Sequence, residues 1–563
     1  MSDVMENLQN NIKKSIQDGL LKAKEEGKLS FDEIPEFILE VPREKTHGDF
    51  ASNIAMQMAK QAKKAPRVIA QSIVDHMDTE GTYINHIEIA GPGFINFKLD
   101  QSWLYEVLND IGQKKESYGH SPMGQGKKIN VEFVSANPTG PMHMGNARGG
   151  ALGDSLAALL KAAGYEVTKE FYINDAGNQI ERFGESLEAR YLQLLGHKAQ
   201  IPEGGYQGED ITEHMRNFIE IEGERYLNVD PETRRTVFVD YALKKNIDRL
   251  QKDLGDYGIH YDVWFSEKNQ LHKTGAVKEV IELLKEKGHT YEKDGALWFK
   301  SSEFGGEKDE VLIRNNGIPT YFAADIAYHR DKLEKRNFDL AINIWGADHH
   351  GHIARLKGAL EAIGIDPEKL EVIIIQLVRL YRNGEIARMS KRSGKAITLS
   401  DLVEEVGKDA ARFFFNLRSA SSHLDFDLDL AVKQSNENPV FYVQYAHARI
   451  CSILRQMEKE GITLDIIQTA NPSLLKEEQE LDLIRRLADL PQEIEIAVHN
   501  LDPSRITHYV LDVASLFHSF YNACHVRVED EELMKARLLL ILCTRQVLAN
   551  VLKLLGIDAP ERM

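Results

Sequence analysis

The densest chemistry in the chain lies in Val131-Glu132-Phe133-Val134-Ser135-Ala136-Asn137-Pro138-Thr139-Gly140-Pro141-Met142-His143-Met144-Gly145-Asn146. An apolar strand ends, Pro and Gly turn the chain, and a helix is expected to begin near His143. A helix start has free N–H groups and the positive end of a dipole, a setting that suits phosphate. His143 adds a donor aimed at the same place, and Gly145, lacking a Cβ, lets a flat base lie against the backbone. Alone, a His beside a Gly reads equally well as structure; Pro-x-Gly-x-x-His-x-Gly after a strand is far more specific. A second stretch, Arg388-Met389-Ser390-Lys391-Arg392-Ser393-Gly394-Lys395, puts four cations into eight residues. Lys391 and Lys395 suit the neutralisation of a departing polyphosphate. Taken alone, the same stretch reads as a solvated surface turn.

Two more segments carry polar groups at informative spacing. In Tyr321-Phe322-Ala323-Ala324-Asp325 the phenol and the carboxylate stand four residues apart, on one face if the segment is helical. A planar cation with several donors is matched by such a carboxylate, although an ordinary surface ion pair is the competing reading. Trp345-Gly346-Ala347-Asp348-His349-His350-Gly351-His352 follows an apolar strand. Gly346 allows close backbone approach, and Asp348 suits a ribose hydroxyl or an ammonium group; three His and an Asp also raise the alternative of a metal site.

The elements that must position these groups follow from periodicity. Lys128–Val134 and Glu166–Ile173 read as strands around a helix over Gly140–Gly164, with Leu152, Leu156, Leu159 and Leu160 inward. The pattern resumes at Leu340–Trp345, Ile353–Ile363 and Leu370–Leu377, as expected of crossover units in a parallel sheet. Between the halves, Ile180–Ser302 is mostly charged and helix-like and reads as an insertion. The first hundred or so residues read as a small α+β unit. It has a helix over Val4–Glu26, with Ile12, Ile16, Leu20 and Leu21 on one side, a helical stretch over Ala51–Asp75 and a strand–turn–strand over Tyr83–Leu99. Lys114–Lys128 reads as a linker, and from Asn438 onward the chain is helical in period.

Together the two phosphate-suited segments resemble the paired H-x-G-H and K-M-S-K-S signatures of the class I aminoacyl-tRNA synthetases, here His143-Met144-Gly145-Asn146 and Arg388-Met389-Ser390-Lys391. The surroundings resemble the arginyl members. The resemblance implies a Rossmann-type parallel-sheet catalytic domain with insertions (114–435, insertion about 180–302). It adds an N-terminal α+β domain that contacts the tRNA elbow (1–113) and a C-terminal all-helical anticodon-binding bundle (436–563). It implies that His143, Asn146 and Lys391 stabilise the transition state. ATP would be held by Thr139, His143, Gly145, Asn146, Gly346, Asp348, Met389, Ser390, Lys391 and Lys395. Arginine would be held by Glu132, Asn137, Tyr321, Asp325, Asp348 and His349, and tRNA contacted by Tyr442, Tyr445, His447 and Arg449. Tyr172–Gln179 is similar to the family's stretch after the first crossover and reads as scaffolding. Asn146 departs from the pattern, where a second His is usual; its amide can donate to phosphate but cannot carry a proton's charge. The resemblance explains the Asp348–His352 cluster without a metal, so Mg²⁺ is expected to arrive with ATP and no dedicated protein metal site is expected. The implied partners are tRNA(Arg), L-arginine and ATP, with activation needing bound tRNA and the chain acting as a monomer.

Composition bounds these readings without deciding them. At 563 residues the chain needs several cores, and 42% apolar with 28% charged residues excludes a disordered chain. No apolar run reaches the ~20 residues that span a bilayer, and the polar start lacks a signal-peptide core, so a cytoplasmic location without membrane contact is expected. A net charge of −18 opposes RNA binding as a sum, but binding uses local patches. Cys451, Cys524 and Cys543 lack C-x-x-C spacing and read as small buried hydrophobes. Three other functions remain open. Another class I specificity is opposed by the anionic Asp325 and Glu132. A small-molecule nucleotidyl ligase would have no use for the C-terminal helices. A non-catalytic tRNA-binding paralogue is favoured by Asn146 and opposed by Lys391.

Overall fold

The computed structural model describes residues 3–42, 44–387 and 396–563. In the N-terminal unit the helix Asp3–Glu25 presents Ile12, Ile16 and Leu20 to the core. Leu21 is 47% exposed: the four-residue spacing of the others makes one stripe, and a residue one step beyond leaves it. The expected helical stretch over Ala51–Asp75 is instead a strand, Phe50–Ser52, and two helices, Ile54–Ala62 and Pro66–His76. Lys63 turns left-handed at φ 50°, and Pro66 has no N–H to continue the first helix. Phe50–Ser52 and Ile84–Ala90 flank Phe94–Leu99 in an antiparallel sheet.

The central sheet is built from β1 (Lys128–Glu132), β2 (Glu166–Ile173), β3 (Val263–Ser266), β4 (Leu340–Gly346) and β5 (Leu370–Ile375), in the order β5-β4-β1-β2-β3. Every pair is parallel. The chain leaves β1 toward β2 and β3, then returns on the other side as β4 and β5. This reversal opens a crevice at the carboxyl ends of β1 and β4, where ligands of open α/β sheets bind. Helix α1 (Gly145–Ala162) follows β1 and buries Leu152, Leu156, Leu159 and Leu160. Gly153 permits that packing, since a Cβ there would lie 2.3 Å from the Phe133 ring.

The interval 180–302 is not one insertion. Helices Asn178–Leu194, Glu209–Glu222 and Pro231–Asp256 form a separate core around Phe183, Tyr191, Phe218 and Phe238. The chain then re-enters the central sheet as β3, a four-residue strand too short to stand out among charged helices. Strands Thr290–Lys293, Ala296–Phe299 and Glu310–Ile313 make a small antiparallel sheet. It leads into α2 (Tyr321–Arg330), which continues as a π-helical turn over Asp331–Lys335. Helix α3 (His352–Ile363) connects β4 to β5.

Helices Pro439–Lys459, Glu478–Ala488, Leu490–His499, Ser504–Ala523 and Glu531–Leu554 complete the chain and bury all three cysteines. The expected linker is packed against them. The Tyr118 hydroxyl donates to the Leu487 carbonyl at 3.0 Å, and Asn550 Nδ2 donates to the Lys115 and Tyr118 carbonyls. Arg412, wholly buried on the helix Lys408–Phe415, ties three regions together. Its Nη2 meets Asp154 Oδ2 of α1 at 2.6 Å, while other nitrogens donate to the carbonyls of Tyr257 and Leu555. No helix among the described residues is long and apolar enough to cross a membrane.

Candidate active site

The turn after β1 carries the first signature. Val134 and Ser135 have φ of 69° and 42°, a left-handed conformation that a β-branched residue adopts only where neighbours enforce it. Here Ser135 Oγ donates to Glu132 Oε1 at 3.0 Å and accepts the Tyr172 N–H at 3.1 Å. Further along, the Pro138 carbonyl accepts from the buried Asn246 Nδ2 at 2.9 Å. Asn137 is exposed and Thr139 half-buried on this turn. His143 is exposed just before α1, and its Nδ1 accepts the Gly145 N–H at 3.0 Å. A backbone N–H only donates, so a neutral His143 carries its proton on the outward Nε2, ready to donate to an anion. Asn146 stands half-buried in the first turn of the helix.

The second signature enters this geometry only through its flank. Met389, Ser390, Lys391 and Lys395 lie outside the described residues. Directly after them, the Ile397 carbonyl accepts the Met144 N–H at 3.1 Å, and the Leu399 N–H donates to the Met142 carbonyl at 3.0 Å. Thr398 pairs with His143 and caps the helix Leu399–Val406 through a reciprocal box with Asp401. The described chain that follows, Ile397–Leu399, is thereby tethered beside His143.

The floor of the crevice is a polar row across three strands, because Asn343, Glu132 and Glu170 are register partners. Tyr328, Lys332 and Arg336 lie over this row. Lys332 is fully buried, with Nζ 2.7 Å from Glu132 Oε2, 3.1 Å from Asn343 Oδ1 and 4.1 Å from the Tyr328 ring centroid. Glu170 accepts from the Tyr328 hydroxyl at 2.6 Å and from Arg336 at 3.0 Å. Burial pushes the Glu170 carboxyl up, but Arg336 and Lys332 outweigh it and hold it below the usual range. Asn343 also meets His329 Nε2 at 2.7 Å; burial and Lys332 depress His329 far below its ordinary range, so its ring is neutral.

Tyr321 and Asp325 project from the first turns of α2, as their spacing predicts. Gly177, at φ 79°, brings its backbone against Tyr321: a Cβ there would sit 3.1 Å from the hydroxyl. Asp325 Oδ2 is 2.8 Å from His352 Nε2. Gly346 is exposed at the end of β4, and Asp348 and His349 are exposed beyond it, 3.4 Å apart. The His cluster is divided: His349 faces outward, while His352 turns in toward Asp325. Among the described residues no group of three or more His, Cys, Asp or Glu is arranged to hold a metal ion.

Several residues beneath or beside the site were not expected from the sequence: Lys332, Asn343, His329 and Glu267, while His352 was read only as one of a histidine cluster. Glu267 is buried at the end of β3, bonded to His272 at 3.0 Å. Burial first, then Glu267 and Asp325, push the Tyr172 phenol well up. Asp175 is scaffolding: it accepts from Ser266 Oγ at 2.6 Å and the Lys268 N–H at 2.8 Å.

On the C-terminal bundle, Tyr442, Tyr445 and Arg449 share a helix face. Arg449 lies between the rings of Tyr445 and Tyr521, 4.7 and 4.5 Å from their centroids, and Tyr442 packs on His518. His447 does not join them. It is buried on the other side of the helix, with Nδ1 2.9 Å from the Pro560 carbonyl, and burial lowers its pKa.

Comparison with known proteins agrees with this architecture. Residues 7–99 match the arginyl tRNA synthetase N-terminal domain, 107–420 the catalytic domain of class I (R) tRNA synthetases, and 443–563 the DALR anticodon binding domain. Arginine–tRNA ligases of Ruminiclostridium cellulolyticum and Acetivibrio thermocellus are 62% and 59% identical to the chain, each aligned over 565 residues covering 100% of both sequences. The solved arginyl-tRNA synthetase of Thermus thermophilus shares the fold at TM-score 0.74 and 24% identity, covering 99% of this chain and 100% of that one. The sheet reversal, the signature turn and these full-length likenesses lead to one conclusion, that the chain belongs to the class I arginyl-tRNA synthetase family.

Proposed function

We propose that the crevice between β1 and β4 binds ATP and arginine in the arrangement that its donors and carboxylates favour. As a member of its family, the chain charges tRNA(Arg) with arginine for translation, at the expense of ATP. The observation that carries the residue-level reading is the placement of Asp325 and Tyr321 on one face of α2, with Tyr321 against Gly177 of the turn after β2 and Asp325 beside His352. A guanidinium finds there a carboxylate of opposite charge. Glu132, Asn137, Asp348 and His349 receive the α-amino and carboxylate end. Thr139, Gly145, Gly346, Met389 and Ser390 hold the nucleotide. The arginine carboxylate attacks the α-phosphorus, pyrophosphate leaves, and arginyl-adenylate forms. His143, Asn146 and Lys391 stabilise the charge that develops on the phosphates, and Lys395 follows the leaving group. The terminal adenosine of the tRNA, by class I analogy through its 2′-hydroxyl, then takes the arginyl group.

No protein nucleophile takes part; catalysis is positioning and electrostatics. Mg²⁺ accompanies ATP and is held mainly by phosphates and water. Residues 1–113 contact the tRNA elbow, 114–435 carry the chemistry, and 436–563 read the anticodon. On that last region the stack of Tyr442, Tyr445 and Arg449 offers ring faces to unpaired bases. Buried His447 acts there through the fold. The chain works as a monomer in the cytoplasm.

Arginine-dependent ATP–pyrophosphate exchange, with and without total tRNA and against a panel of amino acids, tests this reading. Exchange with arginine alone, appearing on addition of tRNA, is expected; exchange with another amino acid would refute the pocket assignment. In the same assay Lys391→Ala lowers kcat about 100-fold or more and changes arginine affinity little. Equal losses in turnover and affinity would remove Lys391 from the transition state.

A further inference from the structure

His352 opens α3, its ring 5.8 Å from that of Phe322 and 5.6 Å from that of Trp345. Nε2 lies 2.8 Å from Asp325 Oδ2, and Nδ1 lies 2.9 Å from Arg355 Nε. Arg355 is itself fixed, with Nη1 2.7 Å from Glu310 Oε1. A guanidinium nitrogen donates and never accepts, so Nδ1 of His352 presents a lone pair. The single ring proton therefore sits on Nε2 and is donated to Asp325. The imidazole in this tautomer is neutral, and it holds Asp325 through one carboxylate oxygen. A cation in the place of this imidazole would offset the charge that a guanidinium needs.

We propose that His352 is the positioning residue of the guanidinium site: held as the neutral Nε2–H tautomer by Arg355 and Glu310, it orients Asp325 without discharging it and so tunes affinity for arginine. The proposal rests on the reading that Asp325 receives the guanidinium. A neutral donor at this place should be replaceable by another neutral donor and by nothing else.

The test is arginine-dependent ATP–pyrophosphate exchange, with tRNA present, on the full chain and four variants. Asp325→Asn is expected to raise the KM for arginine about tenfold or more, which secures the underlying reading. His352→Leu, which keeps volume and loses the donor, raises that KM about tenfold, leaving kcat and the KM for ATP within about twofold. His352→Gln, a neutral amide donor, stays within about threefold of the native value, and His352→Lys, a charged donor, behaves like the Leu variant. A purely packing role predicts that Gln and Leu fail alike, and that result would overturn the proposal, as would an unchanged KM in the Leu variant. Should the Leu variant not fold, Gln against Lys decides the same point, since both donate and only one is charged. If Asp325→Asn leaves the KM unchanged, the guanidinium reading itself fails, a result distinct from failure at His352 alone.

Discussion

The placement of His143, Gly145 and Asp325, at a helix start and on one helix face, was legible because it is local. A turn, a helix start and a four-residue spacing all lie within one short segment. Lys332 and Glu267 were not legible, because a π-helical turn and strand register bring them to the site from distant segments. Gly177 belongs to the same hidden group, since its contact with Tyr321 spans well over a hundred residues of chain. An Ala there must adopt φ 79° and place a Cβ 3.1 Å from the Tyr321 hydroxyl. Gly177→Ala is therefore expected to destabilise the fold by about 1 kcal/mol or more and to raise the KM for arginine several-fold. Chemical denaturation and exchange kinetics check the two effects separately.

Among the elements, the strands and the helix of the first crossover follow their sequence periods closely, because burial on the sheet enforces those periods. Elements with weak local signals are the ones that differ. β3 has four residues, and the break near Pro66 splits one apparent helix into two. The π-turn after α2 follows from no periodic rule, yet it sets Lys332 above the Asn343–Glu132–Glu170 row. A buried pair that loses one partner leaves an uncompensated charge. Lys332→Met is accordingly expected to cost about 3–5 kcal/mol of stability, read as a lower midpoint in urea. Replacing Glu132 and Lys332 together by apolar residues is expected to cost less than the single change, a comparison that a double-mutant cycle makes directly.

For the whole molecule, the units were read from the periods of their elements and from the resemblance, whereas their mutual packing was not legible. Arg412 is the clearest case, because nothing in its own segment announces that it joins α1 to the last helix. Burial raises the Asp154 carboxyl, but Arg412 and Lys169 outweigh it and leave it below its ordinary range. A carboxyl depressed in the folded state contributes stability above its unfolded value of about 3.9 and loses it as pH falls through the folded value. Stability of the native chain is thus expected to fall below about pH 4 more steeply than that of Asp154→Asn, measured by urea unfolding across an acid series. The same Arg412 bears on how such chains can be recombined. The Leu555 carbonyl takes its Nε–H at 2.8 Å, and a Cβ at Gly556 would come within 2.2 Å of its Nη2. The C-terminal helices are therefore not an interchangeable cassette. A hybrid joining this catalytic sheet to another relative's bundle must inherit a glycine at 556 along with Arg412, or it will meet a steric clash at the seam before any RNA is bound.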